Sequence, residues 1–219
     1  PNINWAILGD GEYNLVLDYL VKNLNSIESE FDEFKYRFSR YIQNIFPSIA
    51  FRIFHFKHSY LYDENNMDRD PVIVGESPVV VDIDKEDWKI LQCLSKKPRS
   101  TYLEISSSLK ISVKTVTKKI NELTKKRIIM QYKIKINTNV FGLEHQKVFL
   151  YLKNYTRENI YEIISYLRFQ PKVIFITKPF GVSDLEFEII VSGRRELFEF
   201  MRELKSKFAE VIADSNTFL

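Results

Sequence analysis

The stretch SVKTVTKKINELTK, residues 112–125, decides how the rest of the chain is read. Wound into a helix at 100° per residue, it gathers Val113, Val116, Ile120 and Leu123 into one narrow apolar stripe. Lys114, Lys118, Asn121 and Lys125 fall on the opposite side, Thr115 and Thr117 flank them, and Lys119 lies nearer the edge of the core. Ser112 supplies an N-cap. An apolar back that seats the helix and a lysine-rich front fit a helix that enters the major groove of duplex DNA. The lysines suit phosphates, and the threonines suit thymine methyl groups. The front has neither Arg nor Gln, the side chains that read bases with two hydrogen bonds, so discrimination leans on DNA shape or on the threonines.

A lysine face alone is as often a plain solvated surface. The local context favours DNA. Upstream, Asp84 with Asp87 three residues on opens a helix whose Ile90, Leu91 and Leu94 face inward, and Pro98 ends it. Thr101-Tyr-Leu-Glu104 is a capping-box pattern for a second short helix anchored by Ile105 and Leu109, and Lys110-Ile111 forms the turn into Ser112. Downstream, Arg127, Lys133 and Lys135 lie on a β-rich segment, Ile128–Ile136, expected to be the wing. Charge is concentrated here too. Residues 82–137 hold 14 Lys/Arg against 6 Asp/Glu, whereas residues 1–81 hold 7 against 12 and residues 138–219 hold 11 against 11. That is the footprint of one domain meeting phosphates between two that do not. The candidate DNA-contacting residues are Ser112, Lys114, Thr115, Thr117, Lys118, Lys119, Asn121, Lys125 and Arg127.

The flanks are of mixed class. Residues 3–8 and 13–21 read as strands joined by a turn with Gly9, Asp10 and Gly11; residues 24–45 read as an amphipathic helix, and an extended segment runs from Ile49 towards Tyr62. Residues 63–78, polar and holding Pro71, Gly75 and Pro78, read as a linker. From Gln146 the pattern is strand 146–153, helix 158–169, strands 173–179 and 184–192, helix 194–209 and strand 211–218, a ferredoxin-like βαββαβ order. Residues 5–15 (WAILGDGEYNL) align without a gap on residues 175–185 (FITKPFGVSDL), so the N-terminal segment repeats the last four elements of the C-terminal one. The expected fold is therefore α+β: a partial ferredoxin-like domain at 1–62, a linker at 63–81, a winged helix-turn-helix at 82–137 and a complete βαββαβ domain at 138–219. The chain opens on Pro1 rather than Met, and the reading expects further polypeptide upstream.

Other chemistry finds little purchase. No apolar run approaches the ~18–20 residues of a membrane helix. The single cysteine, Cys93, sits in an apolar helical pattern as a small core residue and fits a reducing cytosol. Only His55, His58 and His145 exist, and the first two, three apart on a strand end, would point to opposite faces. No catalytic triad, phosphate loop or metal motif is visible, so no catalytic residue, metal or cofactor is expected.

On Asp84–Leu91, Arg99–Ile105, Ile111–Val116 and Ile120–Leu123, with Phe141-Gly142 ahead of the βαββαβ segment, the chain resembles the Lrp/AsnC family of prokaryotic transcriptional regulators over about 82–219. Lys110 departs from it, since the family usually has glycine there. The resemblance implies a βαββαβ domain that pairs through its sheet and takes a small, amino-acid-like effector. Its effector loop resembles Gly181-Val182-Ser183-Asp184, with Asp184 a partner for an ammonium group. The other copy, Gly11-Glu12-Tyr13-Asn14, keeps an aromatic residue and lacks the carboxylate. Two glycine turns in repeated hairpins explain both loops equally well. Two pairing domains in one chain imply an internal pseudo-dimer. With one reading helix visible, either a homo-oligomer, at least a dimer, or an upstream helix-turn-helix is expected. Two rival readings stand beside the regulator. Siroheme decarboxylases resemble the same plan, and Tyr13-Asn14-Leu15 is similar to a segment in them; the other rival is a ligand-sensing or assembly module without DNA binding.

Overall fold

The computed structural model describes residues 3–9, 13–21, 24–62, 69–75 and 80–218. In chain order the strands and helices are β1 (Ile3–Leu8), β2 (Leu15–Tyr19), α1 (Leu24–Phe38), β3 (Ile49–His55), β4 (Val72–Val74), α2 (Lys85–Lys96), α3 (Tyr102–Leu109) and α4 (Val113–Lys125). They continue with β5 (Glu144–Leu152), α5 (Arg157–Arg168), β6 (Val173–Phe180), β7 (Leu185–Val191), α6 (Arg194–Lys207) and β8 (Ile212–Phe218). Two compact units result: residues 77–136, and residues 1–76 together with 137–219.

In the larger unit β4-β3-β6-β7-β5-β8 form one antiparallel sheet. Side chains alternate across it, as a strand's period of two dictates. Val148 and Leu150 of β5 face α5 and α6, joining a core with Ile163, Leu167, Leu197 and Leu204. Lys147, Phe149 and Tyr151 face the other way. There the Tyr13 ring meets Phe149 at 5.3 Å and Phe46 at 5.5 Å, its hydroxyl lies 3.3 Å from that of Tyr151, and Trp5 lies 6.0 Å from the Lys147 ammonium. The β1–β2 hairpin is thus matched to the second face of the sheet.

The division differs from the sequence reading in three respects. Residues 1–62 are read as a partial domain of their own, yet β3 pairs with β6 and so extends the sheet of the C-terminal part. The expected helix 24–45 ends at Phe38, and the chain beyond it runs through turns to β3, with Phe46 meeting Tyr13. Part of the expected linker is ordered as β4, which pairs with β3. Gly11 of the first glycine turn lies outside the described residues.

Arg69 explains why that segment is held. It is 3% exposed, and its guanidinium donates to the carbonyls of Arg168 (2.6 Å), Gln170 (2.7 Å), Val173 (2.6 Å) and Lys57 (3.1 Å) and to the Ser59 hydroxyl (3.1 Å). It also lies 4.6 Å from the Phe56 ring. Burial, with Arg168 nearby, pushes its pKa down to about 10, so it stays charged at neutral pH. Arg69→Met would leave several buried carbonyls without donors. We expect urea unfolding of this unit, followed through amide exchange of β3 and β6, to show a loss of about 3 kcal/mol. A loss below about 1 kcal/mol would refute the anchoring role.

Candidate nucleic-acid interface

The smaller unit is built on α2, α3 and α4. Asp84 caps α2, accepting from the amides of Glu86 and Asp87, both at 2.8 Å, while Asp87 accepts from the Asp84 amide at 3.0 Å. Thr101 and Glu104 make the same reciprocal box on α3. Ser112 caps α4 by accepting from the Thr115 amide at 3.0 Å. These bonds satisfy amides that a helix start leaves unpaired. Ile90, Leu94, Ile105, Val116, Ile120 and Leu123 close the core, with Cys93 half-buried against it.

That core sets the rotation of α4. Lys114, Lys118, Asn121 and Lys125 are exposed on the far side. Val113, expected in the buried stripe, is 41% exposed, since the first residue of the helix lies beyond the reach of α2 and α3. Lys118 makes only a loose pair with Glu122 at 3.8 Å, and Lys114 and Lys125 make no ion pair among the described residues. The threonine hydroxyls are engaged within the helix: Thr115 pairs with Ser112 at 2.8 Å, and Thr117 donates to the Val113 carbonyl at 3.0 Å. Arg127 follows in a left-handed conformation, φ 57°, just past α4. The segment 128–136, expected as a β-rich wing, forms no regular strand; Ile128 and Ile129 close on the helical core instead.

Lys119 behaves differently from its neighbours. Its ammonium contacts Asp84 at 2.5 Å, Asp87 at 3.1 Å and Glu86 at 3.6 Å, and its side chain is 13% exposed. Desolvation opposes its charge, but the hydrogen bonds to Asp84 and Asp87 outweigh that and raise its pKa. In turn the Lys119 hydrogen bond, helped by the Asp87 amide, holds Asp84 down at about 2. Nothing in the residue pattern marked this partnership, because Lys119 and Asp84 lie on different helices; the position of Lys119 at the core edge was the one hint. Asp84, Lys114, Thr115, Lys118, Lys119 and Glu122 line a shallow concavity of about 420 Å³.

In the other unit, the loop 181–184 turns its groups inward. Gly181 has φ 134°, and a side chain there would strike the Pro47 carbonyl at 2.5 Å. Ser183 is buried and donates to Glu186 at 3.0 Å, and Asp184 accepts from the Leu152 amide at 2.7 Å. Val182 is half-buried between them. His55 packs against Phe175 and His58 against Tyr60, and His145 contacts Glu188 at 2.8 Å. Among the described residues no group of His, Cys, Asp and Glu is arranged to hold a metal ion, and no helix is long and apolar enough to cross a membrane.

Residues 83–130 match the family described as winged helix-turn-helix DNA-binding. That match spans less than a quarter of the chain and says what these residues are similar to. Two HTH-type transcriptional regulators are similar to part of the chain: LysM of Sulfurisphaera tokodaii, 40% identical over 55 residues, and LrpA of Pyrococcus horikoshii, 42% identical over 60. The matches cover 25% and 27% of this chain and 39% and 43% of the relatives, so the chain spans about two-fifths of their length. Among solved structures, LrpC of B. subtilis (23% identity, TM-score 0.54) and AsnC of E. coli (17%, TM-score 0.55) share the fold. They cover 63% and 64% of this chain and 94% and 93% of their own. The part of the chain they cover, nearly two-thirds, has the α+β fold of those structures.

Lys110 ends α3 in the left-handed region at φ 55°, where glycine meets no Cβ penalty. Lys110→Gly should stabilise the domain by roughly 0.5–1 kcal/mol in urea unfolding, and a destabilised variant would contradict that. A carboxylate with a folded-state pKa of about 2 stabilises the fold above its unfolded value of about 4, and loses that contribution as pH falls towards 2. The melting midpoint of the domain should drop across this window, and Asp84→Asn, which keeps a capping side chain, should shallow the drop.

Proposed function

We propose that the chain binds duplex DNA through α4 and regulates transcription, acting in the cytosol as a regulator and not as a catalyst. The exposed lysine row of α4, backed by the buried Val116, Ile120 and Leu123, carries this reading. Lys114, Lys118 and Lys125 meet phosphates, Asn121, Thr115 and Thr117 face base edges, and Ser112 and Arg127 stand at the two ends of the contact. Regulators of this kind read two half-sites with two such helices, so a pair of chains is the active form. One solved relative, a transcriptional regulator from Neisseria meningitidis with 18% identity and TM-score 0.57 over 63% of this chain and 90% of its own, holds L-Met. An amino-acid-like effector at residues 181–184 would share the Asp184 carboxylate with the Leu152 amide, from which Oδ2 accepts.

The test is binding to random-sequence duplex across a salt series. Lys118→Ala should weaken binding about three- to tenfold on every sequence and make the log–log salt slope shallower by about 0.9. Unchanged affinity and slope would remove α4 as the reading helix. Incubation with haem precursors without an absorbance change is the outcome expected of a regulator.

A further inference from the structure

The lysines of α4 do not all face one way. Lys119 is drawn back against the N-terminus of α2, where Asp84, Glu86 and Asp87 place three carboxylates within 3.6 Å of its ammonium. The two capping carboxylates divide their oxygens. Oδ1 of Asp84 takes the amides of Glu86 and Asp87 and Oδ2 takes Lys119; Oδ2 of Asp87 takes the Asp84 amide and Oδ1 takes Lys119. The Glu86 and Asp87 amides are thereby consumed and offer phosphate no donor.

These carboxylates are not remote from the basic row. Asp84 lines the same concavity as Lys114, Thr115 and Lys118. A phosphate approaching Lys114 or Lys118 therefore approaches Asp84 as well. Like charges at such range oppose binding unless they are cancelled. The capping box needs the carboxylates, and the reading face is better without them.

We infer that Lys119 is not a DNA-reading residue but the counter-ion that neutralises the acidic cap of α2, so that phosphates can reach Lys114 and Lys118. The inference rests on the DNA-binding reading above. Lys119 acts through Asp84 and Asp87, whereas Lys118 acts on the DNA itself. A lysine that contacted phosphate would contribute whatever stood at 84 and 87; a counter-ion matters only while its carboxylates are present.

A mutant cycle on the full chain separates the two, read as affinity for a random-sequence duplex at a temperature where every variant is folded. Lys119→Met should weaken binding about tenfold in the parent chain, as three carboxylates regain their field. Lys119→Arg, which keeps the charge, should stay within about threefold of the parent. In an Asp84→Asn/Asp87→Asn background, which binds at least as tightly as the parent, Lys119→Met should cost less than about twofold. An equal loss in both backgrounds makes Lys119 a phosphate contact and overturns the inference. A lower melting midpoint with unchanged affinity makes it merely structural and overturns it too. If the parent binds duplex and responds to Lys118→Ala, the DNA-binding reading survives either result; if the parent does not bind, that reading fails and this one with it.

Discussion

A helix has one rotation about its axis, and in the smaller unit that rotation is set by burial. Val116, Ile120 and Leu123 of α4 are at most 4% exposed, packed among Ile90, Leu94 and Ile105. Each such side chain contributes about 1.5–3 kcal/mol when taken from water, more than any exposed lysine could offset by turning elsewhere. With the stripe seated, side chains half a turn away must face solvent. Lys114, Lys118, Asn121 and Lys125 are displayed for that reason and not through any contact of their own. Three capped helix starts support the arrangement, since the domain is too small to tolerate unpaired amides.

In the larger unit the constraint is register. Lys147 lies directly across from Glu188 in the pairing of β5 with β7, and its ammonium is 2.7 Å from Glu186 on the same face of the sheet. The cluster is mostly covered; burial opposes the lysine's charge, but the two carboxylates outweigh it and its pKa is raised. A slip of one residue along β5 would turn Lys147 towards the aliphatic core under α5 and α6 and leave both glutamates uncompensated. The ion cluster therefore specifies pairing more than it stabilises it. Arg69 does comparable work for the segment ahead of β4, where one guanidinium fixes carbonyls from two stretches of chain.

What could be read from residues alone follows from how local each signal is. Helix caps need only three or four neighbouring residues, and Asp84, Thr101 and Ser112 announced all three helix starts. The βαββαβ order was legible from apolar periodicity, with boundaries within a few residues of those observed. Partners distant in sequence were not legible. β3 reads as the last strand of its own repeat, yet it lies along β6, and no pattern within residues 49–55 names that neighbour. The apolar, β-branched segment 128–136 suggests a wing by propensity, but Ile128 and Ile129 gain more by closing the helical core. Lys119 is the sharpest case. On a helical wheel it stands at the edge of the core, apart from the other lysines, and only the packing of α2 against α4 shows that it belongs to the carboxylates.

The same geometry bears on how selective α4 can be. The Thr115 and Thr117 hydroxyls are engaged by Ser112 and by the Val113 carbonyl, which leaves their methyl groups as the features free to meet a base edge. Methyl contacts favour thymine without a hydrogen-bond code, and lysines bind phosphates whatever the sequence. On the proposed reading, Asn121 is then the side chain of the exposed face suited to pair with adenine through two hydrogen bonds. A face of this composition has high attraction and little direct readout. On the proposed reading, its selectivity would come from the shape and stiffness of the duplex, or from pairing two such helices at a fixed spacing, where an error in one half-site is felt by both.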